Sequence, residues 1–174
     1  LPPVKGLLSQ TVRTAAVDVI ITIGLGPDTE VLQLIRKRHL CFVTIDGAPD
    51  SGALNVGIDD EAGGYTLMAH LLALGHRRID ILGLRNTHEL LINMETVTMS
   101  RSLIMDVRMQ GIKRALDEYA DQKESFSVRT FRCDAAADSA EQTVGTLLDQ
   151  ADPPTAVLCL SDVAALGVYM AARK

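Results

Sequence analysis

The sequence predicts an α/β fold in which parallel sheets are flanked by helices, and three observations carry that expectation. Strand-like and helix-like segments alternate along the chain, the pattern of repeated strand–helix–strand units. The runs "VDVIITI" (17–23) and "TAVLCL" (155–160) are short, nearly continuous in apolar residues and rich in β-branched ones. Such runs suit strands buried on both faces. Helix starts and stops then fall between them, with Asp or Ser before the apolar periodicity and Gly75 after it.

Taken in order, "VDVIITI" is the first strand and "GLGPDT" breaks it. Asp28 or Thr29 is placed to cap a helix running to about Arg38, with Val31, Leu32 and Ile35 as its apolar stripe. Glu30 suits its start, and Arg36, Lys37 and Arg38 complement its C-terminal dipole. "CFVTI" (41–45) is the next strand, ending at Asp46-Gly47, and "NVGI" (55–58) is a short further piece. Asp59-Asp60 open a helix that runs through Leu74 and stops at Gly75. "IDILG" (79–83) reads as a strand, followed by a helix from about Ser102 to Tyr119 with Ile104, Val107, Ile112, Ala115, Leu116 and Tyr119 mostly on one side. "SVRTFR" (127–132) alternates as a strand. Asp138 with Glu141 three residues on resembles a capping box for a helix through Val144, Leu147 and Leu148. After "DPP" and the strand 155–160, Ser161-Asp162 open a last helix carrying Val163, Leu166, Gly167 and Met170. The stretch 84–107 is long for a strand-to-helix connection, which usually takes about 2–6 residues, and its role stays open.

At 174 residues and 47% apolar composition, one ordinary domain or two small lobes can bury a core. The formal charge of −5 and the scattered Lys and Arg argue against a broad phosphate-binding surface. Cys41, Cys133 and Cys159 are odd in number and far apart, each in a strand-like stretch, which points to reduced, buried thiols. No leader pattern opens the chain and no apolar run reaches the ~18 residues that span a bilayer. A soluble cytoplasmic protein without membrane contact is therefore expected.

Candidate chemistry is sparse. Gly24-Leu25-Gly26 follows a strand and precedes a helix, where a dinucleotide loop belongs, but the third glycine is absent and Pro27 stiffens the turn. No cofactor is expected. Ser161-Asp162 lacks the Gly-x-Ser-x-Gly elbow of a nucleophile and reads as a helix cap at a strand's C-terminal end, where open α/β sheets bind ligands. His70 and His76 are six residues apart, about 240° of rotation on a helix and so on different faces, and His39 and His88 have no companions at ligand spacing, so no metal site is expected. Arg101 and Arg108, seven apart, share nearly one face if the helix extends that far; they are either solvated or aimed at a polar ligand. In "ALGHRRIDIL" (73–82), Gly75 ends a helix, and His76, Arg77 and Arg78 are placed to bond its last carbonyls.

The stretch "IDDEAGGYTLMAHLLALGHRRIDILG" (58–83) resembles the signature of effector-binding domains in the lactose-repressor/galactose-repressor (LacI/GalR) family. "VDVII" (17–21), "FVTIDG" (42–47), "RMQGIKRAL" (108–116) and "PPTAVLCLSDVAALGVYMAA" (153–172) are similar to the same family in the same order. The resemblance covers most of the chain from Val17 onward. It implies a periplasmic-binding-protein-like architecture of the kind seen in periplasmic sugar-binding proteins: two lobes of parallel sheet flanked by helices, with a small molecule held between them. Residues 1–75 would supply part of the N-terminal lobe and 76–174 part of the C-terminal lobe, both incomplete. Ligand binding would shift the lobe angle and, across a homodimer, the spacing of two DNA-binding headpieces.

Carried over by position, the resemblance implies effector-binding roles for Asp46 at a strand end in the first lobe, and for Arg108, three residues before Gly111, in the second. Ser161 stands where the family often has asparagine, and Asp162 is the acid after it. Arg101 is a weaker candidate because it lies in the stretch without a family counterpart. A carboxylate, an arginine and a short polar side chain suit a sugar-like polyol. No helix-turn-helix headpiece is present in these residues, so operator DNA would be reached only through a separate headpiece. The expectation is a non-enzymatic effector sensor of a transcriptional repressor. A transport-type sugar-binding protein and a small α/β nucleotide-binding enzyme are the alternatives.

Overall fold

The computed structural model describes residues 7–23, 30–47, 52–84, 103–120 and 125–174. Chain contacts divide it into two compact units, Leu1–Ile58 and Asp59–Lys174.

The first unit holds α1 (Leu7–Thr14), β1 (Val19–Ile23), α2 (Glu30–Lys37), β2 (Cys41–Ile45) and β3 (Leu54–Val56). Its three strands form a parallel sheet in the order β1-β2-β3. The apolar stripe expected on α2 is present, with Leu32 and Ile35 fully buried. The caps expected at Asp28 or Thr29 and the glycine turn at 24–26 lie outside the described residues. The helix α1 adds an element that the sequence pattern did not single out. Arg38 ties it to the end of α2 by donating to the carbonyls of Val12 and Ala15, two acceptors at the C-terminal end of α1.

One expectation fails in this sheet. The run 17–23 reads as a strand covered on both faces, yet Ile21 and Ile23 are 68% and 76% exposed. The register explains the pattern: Ile21 lies beside Val43 and Leu54, and Ile23 beside Ile45 and Val56, so these apolar side chains share one face. Burial falls on the other face, where Thr44 is fully enclosed and donates to Asn55 Oδ1 at 2.7 Å. Cys41 is also exposed, against the expectation of a buried thiol.

The second unit holds α3 (Asp60–Ala73), β4 (Arg78–Leu84), α4 (Leu103–Ala120), β5 (Ser127–Cys133), α5 (Ala137–Leu148), β6 (Ala156–Cys159) and α6 (Asp162–Ala171). Its parallel sheet runs β5-β4-β6, with β4 in the centre. Alternation along β4 sends Ile79 and Ile81 to one face, against Met68 and Leu72 of α3 and Ile112 and Leu116 of α4. Leu82 goes to the other face, with Cys133, Ala140 and Val144 of α5, and Ala164 and Ala171 of α6. Both faces are covered, as the continuous apolar strands require.

Dividing the chain at 75/76 assigns α3 to the first part. In the structure α3 packs against α4, so the helix belongs with the second unit. Glycines make this packing close. A Cβ on Gly64 would overlap the carbonyl of Arg108, and one on Gly111 would overlap the carbonyl of Glu61, so the two backbones touch where side chains usually separate helices.

Local chemistry differs from the sequence reading at two helices. The Asp138–Glu141 capping box does not form: the N-cap of α5 is Ala136, without a side-chain cap bond, and Asp138 lies inside the first turn. Ser139 Oγ instead accepts from the backbone N–H of Asp134 at 3.0 Å. On α6 the buried stripe is the small one, Ala164, Gly167 and Ala171, while Val163, Leu166 and Met170 face outward. The cause is close packing on α5, since a Cβ on Gly167 would overlap the carbonyl of Ala137. At the corner 75–78, Gly75 has φ +88° and Arg77 Nη1 donates to the carbonyl of Leu72 at 2.9 Å, which is the expected closure of α3. His76 and Arg78 turn elsewhere, to Thr155 Oγ1 at 3.0 Å and the Pro153 carbonyl at 3.1 Å.

Candidate functional site

In the second sheet β4 is followed by β5 on one side and β6 on the other. The helices that come after β4 and β6 cover opposite faces of the sheet, α4 over Ile79 and Ile81 and α6 over Leu82. Such a switch point opens a crevice in α/β sheets. Three pieces of chain converge there.

The first is Leu160, just past β6. Its N–H still bonds the carbonyl of Leu82 at 3.0 Å, extending the sheet by one residue. Its own carbonyl accepts from Arg108 Nη1 at 2.7 Å. The second is the start of α6, where Ser161 is the N-cap and its Oγ accepts from the N–H of Ala164 at 3.3 Å. Asp162 follows in the first turn, exposed to solvent. The third is the start of α3. Asp59 caps it by accepting from the N–H of Ala62 at 2.9 Å. Asp60, buried beside it, accepts from Arg108 Nε at 2.7 Å.

Arg108 on α4 is thus held by two independent acceptors. The contact at Gly64 and Gly111 presses α3 onto α4 at this level and sets Asp60 beside the guanidinium. The pair is partly enclosed, with side-chain exposures of 30% for Arg108 and 10% for Asp60. Among the described residues, Arg108 Nη2 has no protein acceptor. A guanidinium fixed along two edges and open on a third is a directional donor for a ligand oxygen.

Of the residues singled out in sequence, Arg108, Ser161 and Asp162 lie in this second unit, with Arg108 bonded to the carbonyl immediately before Ser161. Asp46 lies in the first unit, at the end of β2. It has φ +51°, a region non-glycine residues enter rarely, and its N–H bonds the carbonyl of Val56 at 2.9 Å. Arg101 lies outside the described residues. Sequence reasoning missed Asp60 and the Leu160 carbonyl as partners of Arg108.

A family model for periplasmic binding protein-like domains matches residues 68–174. The chain belongs to that family. Its similarities lie with the effector-binding domains of LacI-type regulators. An HTH-type transcriptional regulator of Mycobacterium tuberculosis is 30% identical over 157 residues, covering 87% of this chain and 43% of that protein. The HTH-type transcriptional repressor PurR of Vibrio atlanticus is 31% identical over 146 residues, covering 80% and 38%. A crystal structure of a LacI family transcriptional regulator from Enterococcus faecium with bound ribose is 25% identical with a TM-score of 0.72, covering 96% of this chain and 56% of that one. The chain spans less than half the length of the two curated relatives. The predicted α/β architecture of parallel sheets and flanking helices is the periplasmic-binding-protein-like fold of these neighbours. Among the described residues no helix is long and apolar enough to cross a membrane.

Proposed function

We propose that this periplasmic binding protein-like chain is the effector sensor of a LacI-type transcriptional repressor, and that its effector is a small, sugar-like molecule bonded by Arg108. The observation that carries the reading is the fixed guanidinium at the C-terminal end of the second sheet, held by Asp60 and the Leu160 carbonyl, with no acceptor for Nη2 among the described residues. Preorganised donors raise affinity because little side-chain entropy is lost on binding. Ser161 and Asp162, at the same strand end, supply the adjoining polar groups. Asp46 supplies the first lobe's carboxylate, and its left-handed backbone supports a role beyond packing. Arg101 is a further contact in the second lobe. The ribose bound to the Enterococcus faecium regulator supports the choice of a polyol. The sensor works as a non-enzymatic homodimer, and operator DNA is reached through a headpiece outside these residues.

Calorimetric titration with a panel of pentoses and hexoses tests this reading. At least one is expected to bind, and Arg108→Ala is expected to weaken it by about tenfold or more, the worth of a charge-assisted hydrogen bond. Equal affinity in wild type and Arg108→Ala for a bound sugar would sink the assignment.

A further inference from the structure

We infer that Asp60 sets the class of effector, selecting neutral, hydroxyl-bearing molecules and rejecting anionic ones; this rests on the reading of Arg108 as a ligand donor. An arginine in a crevice ordinarily recruits phosphate or carboxylate. Here its charge is already met. Asp60 Oδ1 lies 2.7 Å from Arg108 Nε, and the carboxylate's 10% exposure keeps that charge against the guanidinium rather than in water. A ligand reaching Nη2 meets a hydrogen-bond donor whose positive charge is offset by the carboxylate on the guanidinium's Nε edge.

Among the described residues, which do not include Arg101, nothing nearby restores the positive balance. Helix N-termini can hold anions through free N–H groups, but both helices that start here carry their own caps. Asp59 occupies the N–H of Ala62 at the start of α3, and Ser161 Oγ that of Ala164 at the start of α6. Asp162 in the first turn of α6 adds another carboxylate. The cation on the outer side of the helix crossing, Arg114, is paired with Glu61. An incoming phosphate would therefore lose its hydration for a donor with little net attraction, whereas a hydroxyl oxygen loses far less.

The amide of Asn at position 60 keeps an oxygen for Arg108 Nε and removes only the charge. Inorganic phosphate is the probe, followed by the side-chain Nε–H resonance of Arg108 in wild type and Asp60→Asn, with a neutral pentose titrated in parallel. Wild type is expected to show no saturating response to phosphate. Asp60→Asn should bind phosphate about tenfold or more tighter, whereas pentose affinity should not rise with it, so the ratio of the two affinities moves towards phosphate. The gain should vanish in Asp60→Asn/Arg108→Gln. Saturable phosphate binding at Arg108 in wild type overturns the inference, as does an Asp60→Asn variant that gains nothing or a gain that survives loss of Arg108. If Asp60→Asn does not fold, the wild-type titration alone decides. Failure of every pentose to bind would instead count against the sugar-sensor reading, and the phosphate titration would still report on Asp60.

Discussion

The chain builds two three-stranded parallel sheets, and they are finished differently. In the second, β4 runs through the centre with Ile79 and Ile81 sealed under α3 and α4, and Leu82 sealed under α5 and α6. In the first, Val19, Ile21, Ile23, Leu54 and Val56 line an apolar face that stays open among the described residues. Similar strand sequences thus end in opposite environments. Apolar content sets what a strand can bury; the helices supplied around it decide what it does bury.

The largest effect that would test this contrast is a matched pair of truncations. Ile81→Ala, at a fully buried site in β4, is expected to cost about 2–5 kcal/mol by urea denaturation. Ile21→Ala, at a 68% exposed site in β1, is expected to cost about 1 kcal/mol or less. Comparable losses at both would show that the first sheet's open face is covered in solution.

The second sheet also encloses a charge. Asp80, only 2% exposed on β4, takes two bonds from Arg129 directly opposite on β5, at 2.8 and 2.7 Å. The guanidinium also lies 5.2 Å from the Phe131 ring and is bonded to Gln150. Hydrogen bonding to Asp80 raises the Arg129 pKa above its ordinary value, so the guanidinium stays charged. Asp80→Ala should cost about 2 kcal/mol, below the usual range for breaking a buried pair because Arg129 is 37% exposed and can turn to water. A loss under about 0.5 kcal/mol would mean that the pair contributes nothing beyond register.

Thiol chemistry offers a smaller, pH-dependent comparison. Cys41 on the first sheet is exposed, whereas burial, helped by the neighbouring Cys133, pushes the Cys159 thiol up to about 11. Iodoacetamide near neutral pH should therefore label Cys41 well before Cys159. Because the folded thiol ionises later than the unfolded one, the unfolded chain binds fewer protons between about pH 9 and 11. Stability from this group is complete below about pH 9 and declines as pH rises towards 11, by about 1–2 kcal/mol after discounting for partial exposure. The decline between about pH 9 and 11 should be smaller in Cys159→Ala; an unchanged decline there would assign it to another group.

Much of this was readable from the residues alone. The strands at 41–45 and 155–160 and the helix opened by Asp59 stand where their patterns put them. Resemblance pointed to Arg108, and the structure adds its partners. Those partners leave little trace in sequence for definite reasons. The Leu160 acceptor is a backbone carbonyl, which no side chain advertises, and Asp60 in a run of acids at a helix start reads as a complement to the dipole. Its role depends on a helix crossing that brings α4 into reach through Gly64 and Gly111. Burial of β1 was misread because a continuous apolar run reports how much a strand can bury and not which cover is present.

The smallest predicted effect sharpens the reading of helix starts within the second unit. Ser161 and Asp138 both stand near the beginning of a helix with cap-like residue types, but only Ser161 holds the cap position and accepts a bond, from the N–H of Ala164 at 3.3 Å. Ser161→Ala should cost about 1 kcal/mol, the usual loss of an N-cap oxygen. Asp138 lies one residue inside α5, past the uncapped Ala136–Ala137 junction, and offers only its charge to the helix dipole. Asp138→Ala should therefore cost at most about 0.5 kcal/mol, and that remainder should fade with added salt as a dipole effect does. A salt-independent loss near 1 kcal/mol at Asp138 would mean that the capping box forms in solution after all. Equal small losses at both sites would mean instead that the 3.3 Å bond at Ser161 is too long to stabilise α6.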